Sequence, residues 1–81
     1  MKLSVIGCGY LGATHAACMS SLGFEVVGID TESNKVQLLS NGELPFYEPG
    51  LETLLASEVK SGRLTFTTDF SAAADADVHF I

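Results

Sequence analysis

The chain has 81 residues, of which 47% are hydrophobic and 17% charged, so it forms at most one small globular domain and is neither disordered nor fibrous. Its net charge of −6, with only four lysine and arginine residues, excludes the basic surface that binds a nucleic-acid backbone. No apolar run approaches the ~20 residues that span a bilayer, so we expect neither a nucleic-acid partner nor a membrane anchor.

The chain begins with a predicted strand, a glycine turn and a helix. The apolar run from Leu3 to Ile6 is typical of a strand that is buried on both faces of a parallel sheet. Residues 10–22 suit a helix, and Gly23 is well placed to end it. At about 100° per residue, one sector of this helix is expected to face the sheet. Its members are Leu11, Gly12, His15, Ala16, Met19 and Leu22.

The rest of the chain continues the alternation of strands and helices. The predicted elements are a strand over 25–30, a helix over 33–40, a helix that begins near Leu51 and ends at Gly62, a strand over 64–67, a short helix over 71–76 and a strand from Val78. This βαβα-α-βαβ order predicts an α/β fold with a parallel sheet and flanking helices. We expect the chain to stop in the middle of that sheet, at its fourth strand.

Three glycines follow the first strand at the spacing GxGxxG. Gly7, Gly9 and Gly12 open the first helix, and Asp30 ends the next strand 18 residues after Gly12. This context is typical of a Rossmann dinucleotide-binding domain, whereas the glycine spacing alone is weak evidence. In that interpretation Gly7 permits the tight turn, Gly9 lets the pyrophosphate approach the backbone, and Gly12 lets the helix pack closely on the strand.

The same interpretation indicates which dinucleotide would bind. Amides at the helix start, around Tyr10 and Leu11, would hold the pyrophosphate, and Asp30 would accept hydrogen bonds from the adenosine ribose. A carboxylate repels a 2′-phosphate, and no arginine lies near it in the sequence, so NAD is favoured over NADP. Lys35 is either an ordinary solvated helix residue or a contact at the adenosine end. A glycine turn that binds nothing is the alternative.

Two other residue types invite a catalytic interpretation that their positions argue against. His15 lies one turn beyond the glycine motif in the sheet-facing sector, so we interpret it as a packed, hydrogen-bonded side chain. Cys8 and Cys18 would be roughly 15 Å apart along a mostly helical stretch, which is too far for a disulfide. We interpret both as small packing residues. Unpaired thiols suit a reducing compartment, so we expect a cytoplasmic protein and no metal site.

The sequence also resembles a known enzyme family. VIGCGYLG at residues 5–12 and VVGID at 26–30 are similar to many Rossmann proteins. LPFYEPGLETLL at 44–55 is more specific and closely resembles a segment of the UDP-glucose/GDP-mannose dehydrogenase family. GRLTFTTDF at 62–70 and ADADVHFI at 74–81 resemble the next two blocks of that family, so the resemblance runs the length of the chain.

This resemblance implies a function and a set of cofactor contacts. The UDP-glucose 6-dehydrogenases of the family oxidise the C6 alcohol of UDP-glucose to a carboxylate with two NAD, and we expect the complete protein to do so as a homodimer. The implied NAD contacts are Gly7, Gly9, Tyr10, Leu11, Gly12, Asp30 and Lys35. The family's catalytic cysteine and sugar site lie downstream of Ile81. Residues 1–81 are therefore expected to be the N-terminal part of an NAD-binding domain, with no catalytic residue.

Two alternatives remain open at this point. GDP-mannose and UDP-N-acetylmannosamine dehydrogenases share these sequence blocks, and the residues that would distinguish the sugars are not among the 81. A regulatory NAD-binding module, like those that gate potassium channels, also combines a glycine turn with an acidic strand end. The segment LPFYEPGLETLL favours the enzyme, because we know of no counterpart in such modules.

Overall fold

A computed structural model describes all 81 residues as four strands, three α-helices and one 3-10 turn. In chain order they are β1 (Lys2–Ile6), α1 (Tyr10–Ser21), β2 (Glu25–Ile29), α2 (Ser33–Ser40), α3 (Pro49–Ser61), β3 (Leu64–Thr67), the 3-10 turn (Phe70–Ala73) and β4 (Val78–Phe80). The elements agree with the predicted ones, except that the short helix expected over 71–76 is the 3-10 turn. Asp69 caps this turn, since its side chain accepts a hydrogen bond from the Ser71 N–H at 2.9 Å.

The four strands form one parallel sheet in the order β3-β2-β1-β4. The prediction of a Rossmann-type α/β fold is therefore confirmed. The chain passes from β3 at one edge to β4 on the other side of β1, so the strand order reverses direction between β1 and β4. In open α/β sheets, ligands bind at the carboxyl ends of the strands at such a switch point.

The main hydrophobic core lies between one face of the sheet and the three helices. Its members from the sheet are Leu3, Val5, Val26, Leu64 and Phe66. The helices contribute Ala13, Ala16 and Ala17 from α1, Val36 and Leu39 from α2, and Leu51 and Leu55 from α3, and Cys8 of the glycine turn completes the cluster. Small residues on α1 allow the helix to lie close to the sheet, and the two branched side chains of α3 then fill the remaining space.

The predicted orientation of α1 is only partly right. Ala16 is buried as expected, but Leu11 and Leu22, which were expected to face the sheet, are 80% and 72% exposed. Ala13, Ala17 and Ser20, which lie outside the predicted sheet-facing sector, are buried. The reason is that α3 packs against α1, so the buried surface of α1 is shared between the sheet and a second helix. Helical periodicity alone does not reveal this second helix.

A buried polar network joins α1, α3 and the residue before β3. The Ser20 hydroxyl donates a hydrogen bond to the Glu58 carboxylate at 2.6 Å. The guanidinium of Arg63 donates to both oxygens of the same carboxylate, at 3.1 and 3.2 Å. Because Glu58 is only 5% exposed, these partners compensate the cost of removing its charge from water.

Both edge strands of the sheet, β3 and β4, are unpaired on their outer sides, and the β4 edge is the more apolar at its end. β4 pairs with β1 on one side only, and Val78 and Ile81 are 37% and 101% exposed. An unpaired apolar strand is a template for another chain. We therefore expect the 81-residue chain on its own to self-associate at tens of micromolar in sedimentation experiments. A monodisperse monomer at that concentration would contradict this prediction.

Candidate cofactor site

The glycine turn connects the carboxyl end of β1 to the start of α1. Gly7 has a φ of 94°, a conformation that residues with a side chain rarely adopt. Its N–H donates to the Ile29 carbonyl at 2.8 Å, which fixes the turn to the end of β2. The predicted role of Gly7 in the tight turn is consistent with this geometry.

Gly12 is needed for the close packing of α1 on the turn. A Cβ atom at this position would lie 1.9 Å from the carbonyl oxygen of Gly7, which no real contact allows. Gly28 has a related role, because its missing side chain leaves room for the ring of Phe66 and the thiol of Cys8. The GxGxxG spacing pointed to the first of these two packing sites but not to the second.

Gly9 differs from the other two glycines of the motif. Its φ of −71° is open to any residue, and a Cβ atom there would meet no protein atom within 4 Å. The fold therefore does not require a glycine at position 9. A glycine is needed there only if something outside the chain approaches the backbone closely, as a pyrophosphate does in Rossmann domains.

The backbone amides beside this open space have no partners. The first hydrogen bond of α1 runs from the Ala13 N–H to the Gly9 carbonyl at 2.8 Å, so the N–H groups of Tyr10, Leu11 and Gly12 find no acceptor within the protein. No side chain caps the helix, and its first turn contains no acidic residue. Three free N–H groups at the positive end of a helix dipole form a site that fits an anion such as a pyrophosphate.

Asp30 lies directly beside the glycine turn. Its Oδ2 accepts a hydrogen bond from the Cys8 N–H at 2.8 Å, and its Oδ1 accepts one from the Glu32 N–H at 3.0 Å. These backbone hydrogen bonds, with a smaller contribution from Lys35, hold the pKa of Asp30 below its usual range. A carboxylate has about four acceptor positions, so oxygen lone pairs remain for the hydroxyls of a ribose.

The lowered pKa of Asp30 also has a consequence for stability. A carboxyl group whose pKa is lower in the folded than in the unfolded protein stabilises the fold above the unfolded-state pKa. That contribution is lost as the pH falls through the folded-state value. The stabilising contribution of Asp30 is therefore fully present in the neutral range, and its carboxyl group is negatively charged there.

Lys35 from α2 pairs with Asp30. Its Nζ lies 3.3 Å from Asp30 Oδ2 and 3.8 Å from Glu32 Oε2. The side chain is 24% exposed, so Lys35 is not an ordinary solvated lysine. The structure thus brings all seven sequence-predicted contact residues to the carboxyl ends of β1 and β2.

The two cysteines differ in their environments. Cys8 is fully buried, and burial together with the nearby Asp30 charge raises the pKa of its thiol to about 11. A thiol with this pKa is a poor nucleophile near neutral pH. Cys18 is exposed on α1, so the interpretation of both cysteines as packing residues is wrong for Cys18.

A cleft of about 260 Å³ lies next to the turn, between α1 and the ends of β1 and β4. Phe80 and Ile81 line it, and sequence reasoning did not find them because their position depends on the strand order. His15 lines it too, with its ring 4.4 Å from that of Phe80. The buried Nε2 of His15 has no hydrogen-bond partner, so the prediction of a hydrogen-bonded histidine is wrong for this atom.

The fold contains neither a metal-binding cluster nor a membrane-spanning helix. No group of three or more histidine, cysteine or acidic side chains is arranged to hold a metal ion. The helices are also all too short or too polar to cross a bilayer.

Comparison with known proteins identifies the family. All of residues 1–81 match the NAD-binding domain of the UDP-glucose/GDP-mannose dehydrogenase family. The chain belongs to this family. The resemblance seen in the sequence is thereby confirmed at the level of the family, and NAD is confirmed as the cofactor of the domain. Relatives in this family are named as sugar-nucleotide dehydrogenases.

Curated relatives in this family carry two different substrate names. GDP-mannose 6-dehydrogenase of Pseudomonas aeruginosa is 49% identical over the whole chain, which covers 19% of that protein. UDP-glucose 6-dehydrogenase of Rhizobium meliloti is 45% identical over the whole chain, which again covers 19% of the relative. The chain therefore spans about a fifth of the length of these relatives. Because their names differ, these relatives do not identify UDP-glucose as the substrate.

Solved structures of the family superpose closely on the chain. A ternary complex of GDP-mannose dehydrogenase from P. aeruginosa, 49% identical, matches with a TM-score of 0.95 over 100% of the chain and 19% of that protein. A UDP-glucose dehydrogenase from Pyrobaculum islandicum, 43% identical, gives 0.93 over 99% of the chain and 19% of that protein. The sheet and its flanking helices are thus those of the dehydrogenases' NAD-binding domain.

Proposed function

We propose that the chain is the NAD-binding segment of a nucleotide-sugar 6-dehydrogenase and that it holds the cofactor at the glycine turn. The observation that supports this site best is the group of three free amides at the start of α1, beside the open space at Gly9. The pyrophosphate would accept hydrogen bonds from the N–H groups of Tyr10 and Leu11. Asp30 would accept hydrogen bonds from the adenosine ribose, and Lys35 would lie at the adenosine end.

NAD supplies the hydride acceptor in such an enzyme. The proposed overall reaction oxidises the C6 alcohol of a nucleotide sugar to a carboxylate in two two-electron steps, which consume two NAD and one water. We place no residue of this chain in the catalytic role, since Cys8 is buried with a raised pKa and Cys18 is remote from the turn on α1. We propose that the nucleophile and the sugar site belong to other parts of the complete protein, which we expect to be a homodimer.

The proposed substrate is UDP-glucose or GDP-mannose. UDP-glucose is the expectation from the sequence, although the sequence blocks are shared with GDP-mannose dehydrogenases, and relatives at 49% identity carry the name GDP-mannose 6-dehydrogenase. NADH formation by the complete gene product with each sugar, and with UDP-N-acetylmannosamine, decides between them. The proposed function fails if none of the three sugars supports NAD reduction. We also expect the 81-residue chain alone to show no turnover with any of them.

Cofactor preference tests the role of Asp30. We expect the protein to bind NAD at least about tenfold more tightly than NADP, because the carboxylate would face the 2′-phosphate with like charge. Asp30→Ala should weaken NAD binding by roughly tenfold or more, since charged hydrogen bonds to the ribose are lost. Titration calorimetry with both cofactors provides the measurement.

A control for this experiment lies at the other end of the same strand. Glu25 is exposed at the amino end of β2, where it pairs with Lys2 at 3.7 Å. Glu25→Ala removes one negative charge, as Asp30→Ala does, and should leave the NAD affinity unchanged. Equal binding of NAD and NADP by the unmodified protein would refute the assignment of Asp30, and so would an unchanged NAD affinity in Asp30→Ala.

A further inference from the structure

The loop that precedes α3 is attached to the first residue of α1. The Tyr10 hydroxyl donates a hydrogen bond to Glu48 Oε2 at 3.1 Å. The Tyr10 ring also packs on the Phe46 ring, with centroids 5.1 Å apart and planes tilted by 50°. Both partners belong to residues 44–48, which we call the 44–48 loop. The side chain of a residue in the proposed cofactor site is therefore held by a distant part of the chain.

The 44–48 loop is itself fixed to the body of the protein. The Leu44 N–H donates to Glu52 Oε2 in α3 at 3.2 Å. Leu44 and Phe46 are partly buried and pack against the main core. Pro45 and Tyr47 are exposed, and Tyr47 most fully, at 91%. The loop is thus a fixed support for Tyr10, except at the tip of Tyr47.

Apart from the Thr14 hydroxyl, which donates to the Tyr10 carbonyl at 2.7 Å, no other side chain forms a hydrogen bond with the first turn of α1. Its N-cap is Gly9, which has no side chain, and no hydrogen bond from a side chain caps the helix. The Tyr10 N–H is one of the three free amides, and its direction depends on how the first turn of the helix is held. The contacts of the Tyr10 side chain with the 44–48 loop are therefore positioned to fix the direction of that amide.

We propose that Tyr10 and Glu48 are positioning residues that preorganise the amides of α1 for the cofactor pyrophosphate. The proposal rests on the proposed placement of NAD at the glycine turn. Neither side chain needs to contact the cofactor, since the Tyr10 hydroxyl is engaged by Glu48. The hydrogen bond also raises the pKa of Tyr10, because ionisation of the phenol would remove its proton and place two negative charges together. The phenol therefore keeps the proton that it donates to Glu48 throughout the neutral range.

Removal of either partner should weaken NAD binding without unfolding the protein. We expect Tyr10→Phe and Glu48→Ala in the complete gene product each to raise the dissociation constant for NAD by roughly three- to tenfold. The double variant should have the same dissociation constant for NAD as the weaker-binding single variant, because the two substitutions break the same contact. Glu48→Gln keeps an acceptor oxygen and should restore most of the affinity. Tyr47→Phe is the matched control and should bind NAD normally.

A comparison of ligands separates positioning from a general structural role. ADP-ribose contains the pyrophosphate, whereas adenosine reaches only the Asp30 end of the site. Tyr10→Phe should therefore weaken ADP-ribose binding and leave adenosine binding, measured by competition, within about twofold of the unmodified protein. Equal losses for both ligands would show a general structural defect and overturn the proposal.

The outcomes also distinguish this inference from the proposed cofactor site. In one outcome, Gly9→Val loses NAD binding, whereas Tyr10→Phe and Glu48→Ala bind NAD as tightly as the Tyr47→Phe control. The positioning role is then wrong, and the proposed cofactor site is retained. If Gly9→Val binds NAD normally, the site itself is wrong, and the positioning role fails with it. An effect of only one of the two partner substitutions would also overturn the proposal, because a shared contact requires both.

Discussion

We expect Gly9→Val to abolish measurable NAD binding while the protein remains folded. The φ of −71° at Gly9 suits a branched residue, and a Cβ atom there meets nothing within 4 Å, so the fold should tolerate valine. The same side chain would fill the space through which a pyrophosphate reaches the amides of Tyr10 and Leu11. A loss of at least roughly a hundredfold in affinity, about 2.8 kcal/mol, is expected.

The control is a glycine-to-valine substitution that adds a side chain of the same size at a position outside the proposed cofactor site. Gly50, in the first turn of α3, has no positive φ, and a Cβ atom there would also meet no protein atom within 4 Å. Gly50→Val should therefore retain both the fold and the NAD affinity. Calorimetry measures binding, and far-ultraviolet circular dichroism measures the helix content of both variants. Wild-type affinity in Gly9→Val would show that the pyrophosphate does not bind at this turn.

Gly12 is unsuitable for this test, although it belongs to the same motif. Any side chain there collides with the Gly7 carbonyl, so a loss of binding would be inseparable from a distorted turn. The two glycines thus have different physical reasons for being present. The structure requires Gly12 for packing, whereas only a ligand explains Gly9.

The local geometry of the site could be predicted from the sequence. Gly7, Gly12 and Asp30 lie as their spacing indicated, because a strand, a tight turn and a helix leave few ways to arrange residues that are close in the chain. The lysine five residues after Asp30 reaches it within one turn of α2. Parallel strand pairing then brings the ends of β1 and β2 to the same edge of the sheet.

Contacts between distant segments could not be predicted in this way. The burial of Ser20 depends on α3, which begins 29 residues later, and nothing in the sequence near Ser20 indicates that helix. The contact of Tyr10 with Glu48 likewise depends on how the loop before α3 folds back. One signal was available for the buried network. Glu58 follows Leu51 and Leu55 at the helical spacing of the apolar stripe of α3, so its burial could have been suspected.

The second large effect is expected from Glu58, whose carboxylate joins α1, α3 and Arg63. We expect Glu58→Ala to lower the free energy of unfolding by about 2 to 3 kcal/mol. The Arg63 side chain is 47% exposed, so water can replace much of its interaction with the Glu58 carboxylate. The Ser20 hydroxyl is fully buried and would lose its partner, and a cavity would remain between the two helices. A loss of this size is a large part of the stability of so small a domain.

Urea unfolding of the 81-residue chain at low concentration, where self-association is weakest, measures this effect. Ser57→Ala, at the exposed neighbouring position of α3, is the matched control and should change the stability by less than about 0.5 kcal/mol. The Ser20→Ala and Glu58→Ala double variant should cost less than the sum of the two single variants by roughly 1 kcal/mol, because both remove the same hydrogen bond. If Glu58→Ala is as stable as Ser57→Ala, the buried carboxylate does not hold the helices together.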